Sequence, residues 1–471
     1  MDLVEWIDTN QDVFTGLSDS VWDFAELGYR ETRSSNLLIG ALERQGFTLE
    51  KGVAGIPTAF VASCTKGTGP VIAVLGEFDA LPGLSQDAVP FRKPVMVGAP
   101  GHGCGHNLLG VAGIAACVAL KQALDAGEAE GTVRYYGCPA EEGGAAKGFM
   151  AKAGLFDDVD VCITWHPDIF NSTLWANFLA NYRVGFKFHG TPAHAAADPY
   201  NGRSALDAVE LMNVGVNYLR EHMVPDARVH YVITNGGGTA PNVVPAEAGS
   251  LYIIRTPRME QLNPLYERVK DIARGAALMT GTELEIELYS GMSNLLLNET
   301  VNNVLQKHLE EIGAPKFSPE DLAFAAEISK TIPAGSFEQA APLYGLAPGE
   351  ISAMKDTLIH EGVLPSYKSD IVQPGSTDVG DVSWVIPTGQ ITTACMALGT
   401  PGHSWQIVAQ GRTGIGHKGM LYAAKVMARS AAEFMQSPEL VRRAKDEFRK
   451  RRTSVDYTSP IPDGLKPPLD I

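Results

Sequence analysis

An α/β fold is predicted, built on a mostly parallel sheet that is interrupted by an inserted α+β domain. Three observations carry this. Apolar runs of strand length alternate with helical patterns in the first third. The periodicity then switches to two, and helix and strand patterns resume towards the C-terminus. Val71 to Glu77 (VIAVLGE) has no polar alternation, which suits a buried parallel strand. Leu108 to Ala123 reads as an Ala- and Leu-rich helix, Thr132 to Cys138 as a strand, Ala145 to Ala153 as a short helix and Val159 to Trp165 as a strand. In such sheets functional residues gather at the carboxyl ends of strands, which singles out the loops after Glu77, Cys138 and Trp165.

Tyr182 to His189, Arg228 to Ile233 and Thr282 to Tyr289 alternate with period two, and Ser250 to Arg255 is a further strand. With helices over Ser204 to Arg220 and Met259 to Leu278 they form a βαββαβ unit with an antiparallel sheet. The domain boundaries that follow are 182–291 for this inserted domain, and 1–181 with 292–471 for the larger one. Asn298 to Ile312 returns to helix. Residues 314–371 are polar and weakly periodic and read as a second insertion, with short helices near 319–329 and 349–361. A Gly- and Asp-rich turn (PGSTDVGD), a strand (Gln390 to Ala397) and helices over His417 to Gln436 and Pro438 to Arg452 complete the chain.

The 471 residues are 45% hydrophobic and 20% charged, enough for a sizeable core and against global disorder. A formal net charge of -16 argues against nucleic-acid binding, which needs a basic face. The longest apolar run, Leu108 to Leu120, is too short to span a bilayer, so no membrane partner is expected. The N-terminus lacks the basic and apolar regions of a secretory signal. The six cysteines are too sparse for a disulfide scaffold, so reduced thiols and a cytoplasmic setting are expected, with Cys138 and Cys162 as core residues.

Each strand-end region carries metal-type donors. Cys104 and His106, separated and flanked by glycine, can turn towards one point, where thiolate and imidazole suit zinc, and imidazole also suits manganese or cobalt. The following helix N-terminus would favour the thiolate. A Gly-rich turn with a buried cysteine would look the same. Glu141 and Glu142 are costly neighbours unless a cation neutralises them, although two solvated loop glutamates would fit the pattern too. His166 ends a strand, His403 lies in a Gly-rich loop, and Asp79 could orient a ligating histidine from behind. Taken together, Cys104, His106, Glu142, His166 and His403 exceed what one tetrahedral ion needs. Two divalent ions, zinc or manganese with cobalt possible, fit better, with Glu141 as general base.

These residues sit in AELG with Glu31 and Thr32, FDALP, CGHN, PAEEGGA, WHP, GTPAHAA, NVVP and GHS, which run in order from about residue 20 onwards. In that set the sequence resembles the M20 family of metallo-amidohydrolases and peptidases, in the branch of aminoacylases and auxin-conjugate hydrolases. Within that branch it is most similar to a type with an insertion before STDVGD. The resemblance implies a catalytic domain of zinc-peptidase type, with the inserted domain as lid and dimerisation domain. It implies metal ligation by Cys104, His106, Glu142, His166 and His403, and Asp79 behind them. It also implies that His194 reaches the partner's active site to stabilise an oxyanion, and that Asn242 and Arg255 hold the substrate carbonyl and carboxylate. The substrate would be an N-acyl amino acid such as p-aminobenzoyl-glutamate, another conjugate, or a dipeptide. The partner would be a second copy or a related subunit. Asn107 in place of the branch's usual Asp, and Gly76-Glu77-Phe78 before Asp79, are departures that place the substrate in question. A subunit inactive without its partner, and a hydrolase using Cys104 as nucleophile, are the competing readings.

Overall fold

The computed structural model describes residues 1–173, 175–366, 371–453 and 457–470. Its strands are β1 (Thr48–Lys51), β2 (Phe60–Lys66), β3 (Val71–Glu77), β4 (Gly131–Cys138), β5 (Val161–Asp168), β6 (Ser172–Thr173), β7 (Asn177–Phe178), β8 (Ala180–His189), β9 (Arg228–Asn235), β10 (Glu247–Thr256), β11 (Glu283–Met292), β12 (Val372–Gln373) and β13 (Thr388–Ala394). The main sheet has the order β1-β2-β4-β3-β5-β13-β6. Its centre, β4-β3-β5-β13, is parallel; β2 and β6 flank it antiparallel, and β1 pairs antiparallel with β2.

Both faces of that centre are covered, which is why its strands read as unbroken apolar runs. Ile72, Val74 and Ile163 point into a layer with the helices His106–Asp125 and Gly414–Gln436. Ala73, Leu75 and Cys162 face the opposite layer with Phe149, Phe156 and Val382. His106–Asp125 is long and apolar enough to cross a membrane by composition alone, but here it is a buried core helix. None of the six cysteines forms a disulfide.

The second sheet is antiparallel, in the order β11-β8-β10-β9. The helices Ala205–Leu219 and Met259–Thr280 cover one face, packing on Val184, Phe186, Tyr252 and Ile254. The opposite face carries the alternate residues of β8 and β10. Strand β9 is a free edge of this sheet.

Several elements differ from expectation. The helix expected near 349–361 is only Pro348–Ala353. Beyond it the chain turns back, so that the His360 and Gly362 carbonyls accept from Asn171 Nδ2. That segment is spent on bonding to a loop rather than on helix. The expected 314–371 insertion includes 367–370, which lie outside the described residues. The first 70 residues supply Leu3–Thr9, Gln11–Phe24, Thr32–Arg44, β1 and β2, none of which was anticipated.

Candidate metal centre and substrate pocket

The carboxyl ends of β3, β4 and β5 meet the N-terminus of the His106–Asp125 helix, and the predicted donors come together there. Cys104, His106 and His166 can place one ligand atom each within 4.8 Å of one another, and so can Cys104, Glu142 and His403. Cys104 is common to these two groups, and a third, Glu77 with His106 and Glu141, shares His106 with the first. Cys104 Sγ lies 3.3 Å from His166 Nε2, and His403 Nε2 lies 3.4 Å from Glu142 Oε2. Glu142 Oε1 is buried without a hydrogen-bond partner. An orphaned carboxylate oxygen among thiol and imidazole donors is what a divalent cation would satisfy, so this donor set fits zinc or manganese.

The backbone is shaped for that convergence. Gly105 holds φ +81, and a Cβ on Gly103 would sit 2.3 Å from Leu84 Cδ1. Three non-glycine residues at or beside the donors have left-handed backbone: Ala140 (φ 52), Ala145 (φ 57) and the donor His403 itself (φ 51). Local strain of this kind concentrates at functional sites. Glu31 braces the carboxylate loop, accepting from the Ala140 amide at 2.8 Å.

Asp79 links the two halves of the cluster. Its Oδ1 lies 2.9 Å from His106 Nδ1, and its Oδ2 accepts from the Glu142 amide at 3.0 Å. The first contact fixes the ring so that Nε2 faces the donors. His106 is held well above the usual imidazole range: burial opposes the charge, and Cys104 and Asp79 favour it more strongly.

Burial, reinforced by Glu77, Glu142 and Asp378, pushes the Glu141 carboxyl well above the ordinary carboxylate range. Burial likewise pushes Glu142 up to about 7, against the attraction of His106. The Cys104 thiol is pushed up by burial and by Glu142. The thiolate stabilisation expected from the helix N-terminus is therefore outweighed here.

Three charged residues at this site were not anticipated from the sequence. Glu77 Oε2 lies 3.1 Å from His106 Nε2, so the departure at Gly76-Glu77-Phe78 touches the donor cluster and not the substrate alone. Glu77 Oε1 also pairs with Lys147 Nζ at 2.7 Å, and Lys147 meets Asp378 Oδ1 at 2.5 Å. Lys147 and Asp378 are fully buried and Glu77 nearly so. Removing the cation would leave two buried carboxylates without it. Lys147→Met is expected to destabilise the protein by about 3–5 kcal/mol. A lowered urea midpoint would show this, and an unchanged midpoint would contradict it.

A cavity of about 700 Å³ opens over the cluster. Cys104, Glu141, Glu142, His166 and His403 line it from the main domain, and Arg183 and Arg255 from β8 and β10. Ser336, Gln339 and Tyr344 reach it from the second insertion. Arg255 Nη1 donates to Ser376 Oγ at 3.1 Å, and its Nε is buried without a partner. His194 and Asn242 do not line this cavity. They lie together in the inserted domain, where the Ala195 amide donates to the Asn242 carbonyl. His194 is exposed, and its Nδ1 accepts from the Ala196 and Ala197 amides at 3.2 and 3.1 Å, so Nε2 carries the proton and faces outward.

The profile of peptidase family M20/M25/M40 matches residues 73–409. The chain is 44% identical to the B-type subunit of p-aminobenzoyl-glutamate hydrolase from Escherichia coli (strain K12), over 98% of this chain and 97% of that protein. The chain is also 34% identical to a Xaa-Arg dipeptidase of Mus musculus, over 67% of this chain and 72% of the relative. Among solved structures, a Bacillus subtilis dinuclear metal-binding peptidase of the M20 family superposes with a TM-score of 0.58. It is 18% identical, the match covers 91% of this chain and 99% of that one, and the likeness shows the shared fold. The chain belongs to peptidase family M20/M25/M40 and is a hydrolase of the metallo-amidohydrolase and peptidase class.

Proposed function

We propose that this protein hydrolyses the amide bond of an N-acyl amino acid or dipeptide, with two divalent ions held by Cys104, His106, Glu142, His166 and His403. The observation that carries the reading is the meeting of two donor groups through Cys104 at the floor of a pocket that also holds Glu141 and Arg255. Bound ions would polarise the amide carbonyl and acidify a water. Glu141 takes the proton of the attacking water and delivers it to the leaving amine, a task suited to a carboxyl whose pKa is raised. Arg255 anchors the carboxylate next to the scissile bond. p-Aminobenzoyl-glutamate, indoleacetyl-aspartate-like conjugates and dipeptides are the candidate substrates.

His194 would complete a neighbouring subunit's site, donating a hydrogen bond from Nε2–H to the developing oxyanion. A lid-to-lid dimer would bring it there. Tyr231, Val232 and Ile233 are exposed on the free edge strand β9, and Leu211, Val214 and Tyr218 form an exposed stripe on the adjoining helix. An unpaired strand edge with apolar side chains is a template for pairing. A related chain could fill the same place, a reading favoured by the relative's designation as a subunit. A Cys104 nucleophile is disfavoured, because burial raises this thiol rather than activating it.

Metal uptake tests the ligand set. Without metal, Cys104 and Glu142 hold protons near neutrality, and a cation binds their deprotonated forms. Two ions per chain are expected, with proton release on binding and affinity rising with pH. Calorimetry in buffers of different ionisation enthalpy would show both. One ion per chain, or uptake without proton release, would contradict the dinuclear reading.

A further inference from the structure

The pocket holds one more cation than the proposed mechanism uses. Arg183 lies on the uncovered face of the inserted sheet, in direct register with Ile253, while Arg255 is in register with Asn181. The two arginines are therefore diagonal neighbours on adjacent antiparallel strands, about 7–8 Å apart at the backbone. Both side chains line the cavity. Among the described residues, neither forms an ion pair with a carboxylate. Arg183 donates from Nη1 to the Gly143 carbonyl at 3.3 Å, two residues past the general base. Burial pulls its pKa down, and no carboxylate of the protein restores it. Arg255 feels Glu141 and has a buried, unpartnered Nε. Two partly buried guanidinium groups without acid partners, side by side in a substrate pocket, call for anionic ligand groups.

We infer that Arg183 forms, beside Arg255, a second carboxylate subsite, so that the amino-acid half of the substrate is a dicarboxylic amino acid of the glutamate or aspartate kind. The inference rests on the N-acyl amino acid reading of the site. Arg255, nearer Glu141 electrostatically, takes the carboxylate next to the scissile amide. Arg183 takes the side-chain carboxylate, and its bond to the Gly143 carbonyl orients the guanidinium. Phe178, Leu343 and Met396 also line the cavity and leave apolar surface for the acyl group.

The test compares N-benzoyl-glutamate with N-benzoyl-glutamine, which match in shape and differ in one charge. The metal-loaded wild type is expected to prefer the glutamate derivative in kcat/KM by about 10–100-fold, the range of a lost charge-assisted contact. Arg183→Met should bring that ratio close to one, chiefly through KM for the glutamate derivative. Arg183→Lys should restore part of it, which also guards against a folding defect in the Met variant. Equal losses on both substrates in Arg183→Met would overturn the subsite, as would a wild type without preference. Calorimetric binding of the same two compounds to metal-loaded Glu141→Gln separates the inference from the hydrolase reading. Selective binding of the glutamate derivative, lost on adding Arg183→Met, upholds the subsite even if the wild type turns over neither compound. Unselective binding overturns it.

Discussion

Glu141→Gln loses about 10²–10⁴-fold in kcat and keeps its full metal complement. The substitution is nearly isosteric and removes the carboxyl proposed to accept and return the proton. It leaves Cys104, His106, Glu142, His166 and His403 in place around the cluster. It also removes a carboxyl that burial and three neighbouring carboxylates destabilise when charged, so the variant should fold at least as well as the wild type. Metal analysis beside steady-state kinetics checks the pair of outcomes. Near-normal turnover in a metal-replete variant would remove Glu141 from the base role.

His194→Ala is expected to reduce kcat by about 10²–10³-fold, the usual effect of losing one oxyanion donor. Thermal stability and metal content should hold, because the side chain is exposed and its hydrogen bonds are local ones to Ala196 and Ala197. Since His194 lies outside its own chain's cavity, the defect should be repairable from a second chain. Mixed dimers of His194→Ala with Glu141→Gln contain one site with an intact Glu141 and a His194 supplied by the other chain. Subunit exchange between two nearly dead variants should then recover measurable activity. Verified mixed dimers with no recovery would mean that His194 does not act across an interface.

Much of the site was legible because its donors cluster in short motifs at strand ends, and those strands announce themselves as apolar runs. The rule that α/β sheets work at their carboxyl edge singled out the regions of Cys104, His106, Glu141, Glu142, His166 and Asp79, and their combined donor chemistry with the family resemblance favoured the metal reading over a Gly-rich turn and solvated glutamates. Glu77, Lys147 and Asp378 were not legible as a unit. They are distant in sequence, each reads as an ordinary charged residue, and only the packing of the Ala146–Lys152 helix against the sheet joins them. Arg183 is one polar position in the period-two strand Tyr182 to His189. That its face of the sheet looks into the pocket depends on the register of β8 with β10, which no local pattern encodes.

The fold divides in a similar way. The inserted sheet was readable because one face is packed by helices and the other is not, which imposes strict alternation. The first 70 residues were harder: β1 is mostly exposed and short, and the helices there are amphipathic caps on the main layer. The Pro348–Ala353 helix stops early because the chain beyond it bonds to Asn171, a long-range partner that local propensity does not foresee.

Release of free amino acid by the purified chain tests the central claim most directly. A panel of N-acyl amino acids and dipeptides would be assayed with added manganese or zinc and again after chelation. Metal-dependent release, abolished by the chelator and restored by the metal, is the expected result. Release that survives prolonged chelation would contradict the metal-dependent mechanism, and a metal-replete chain inert on the whole panel would contradict a self-sufficient hydrolase.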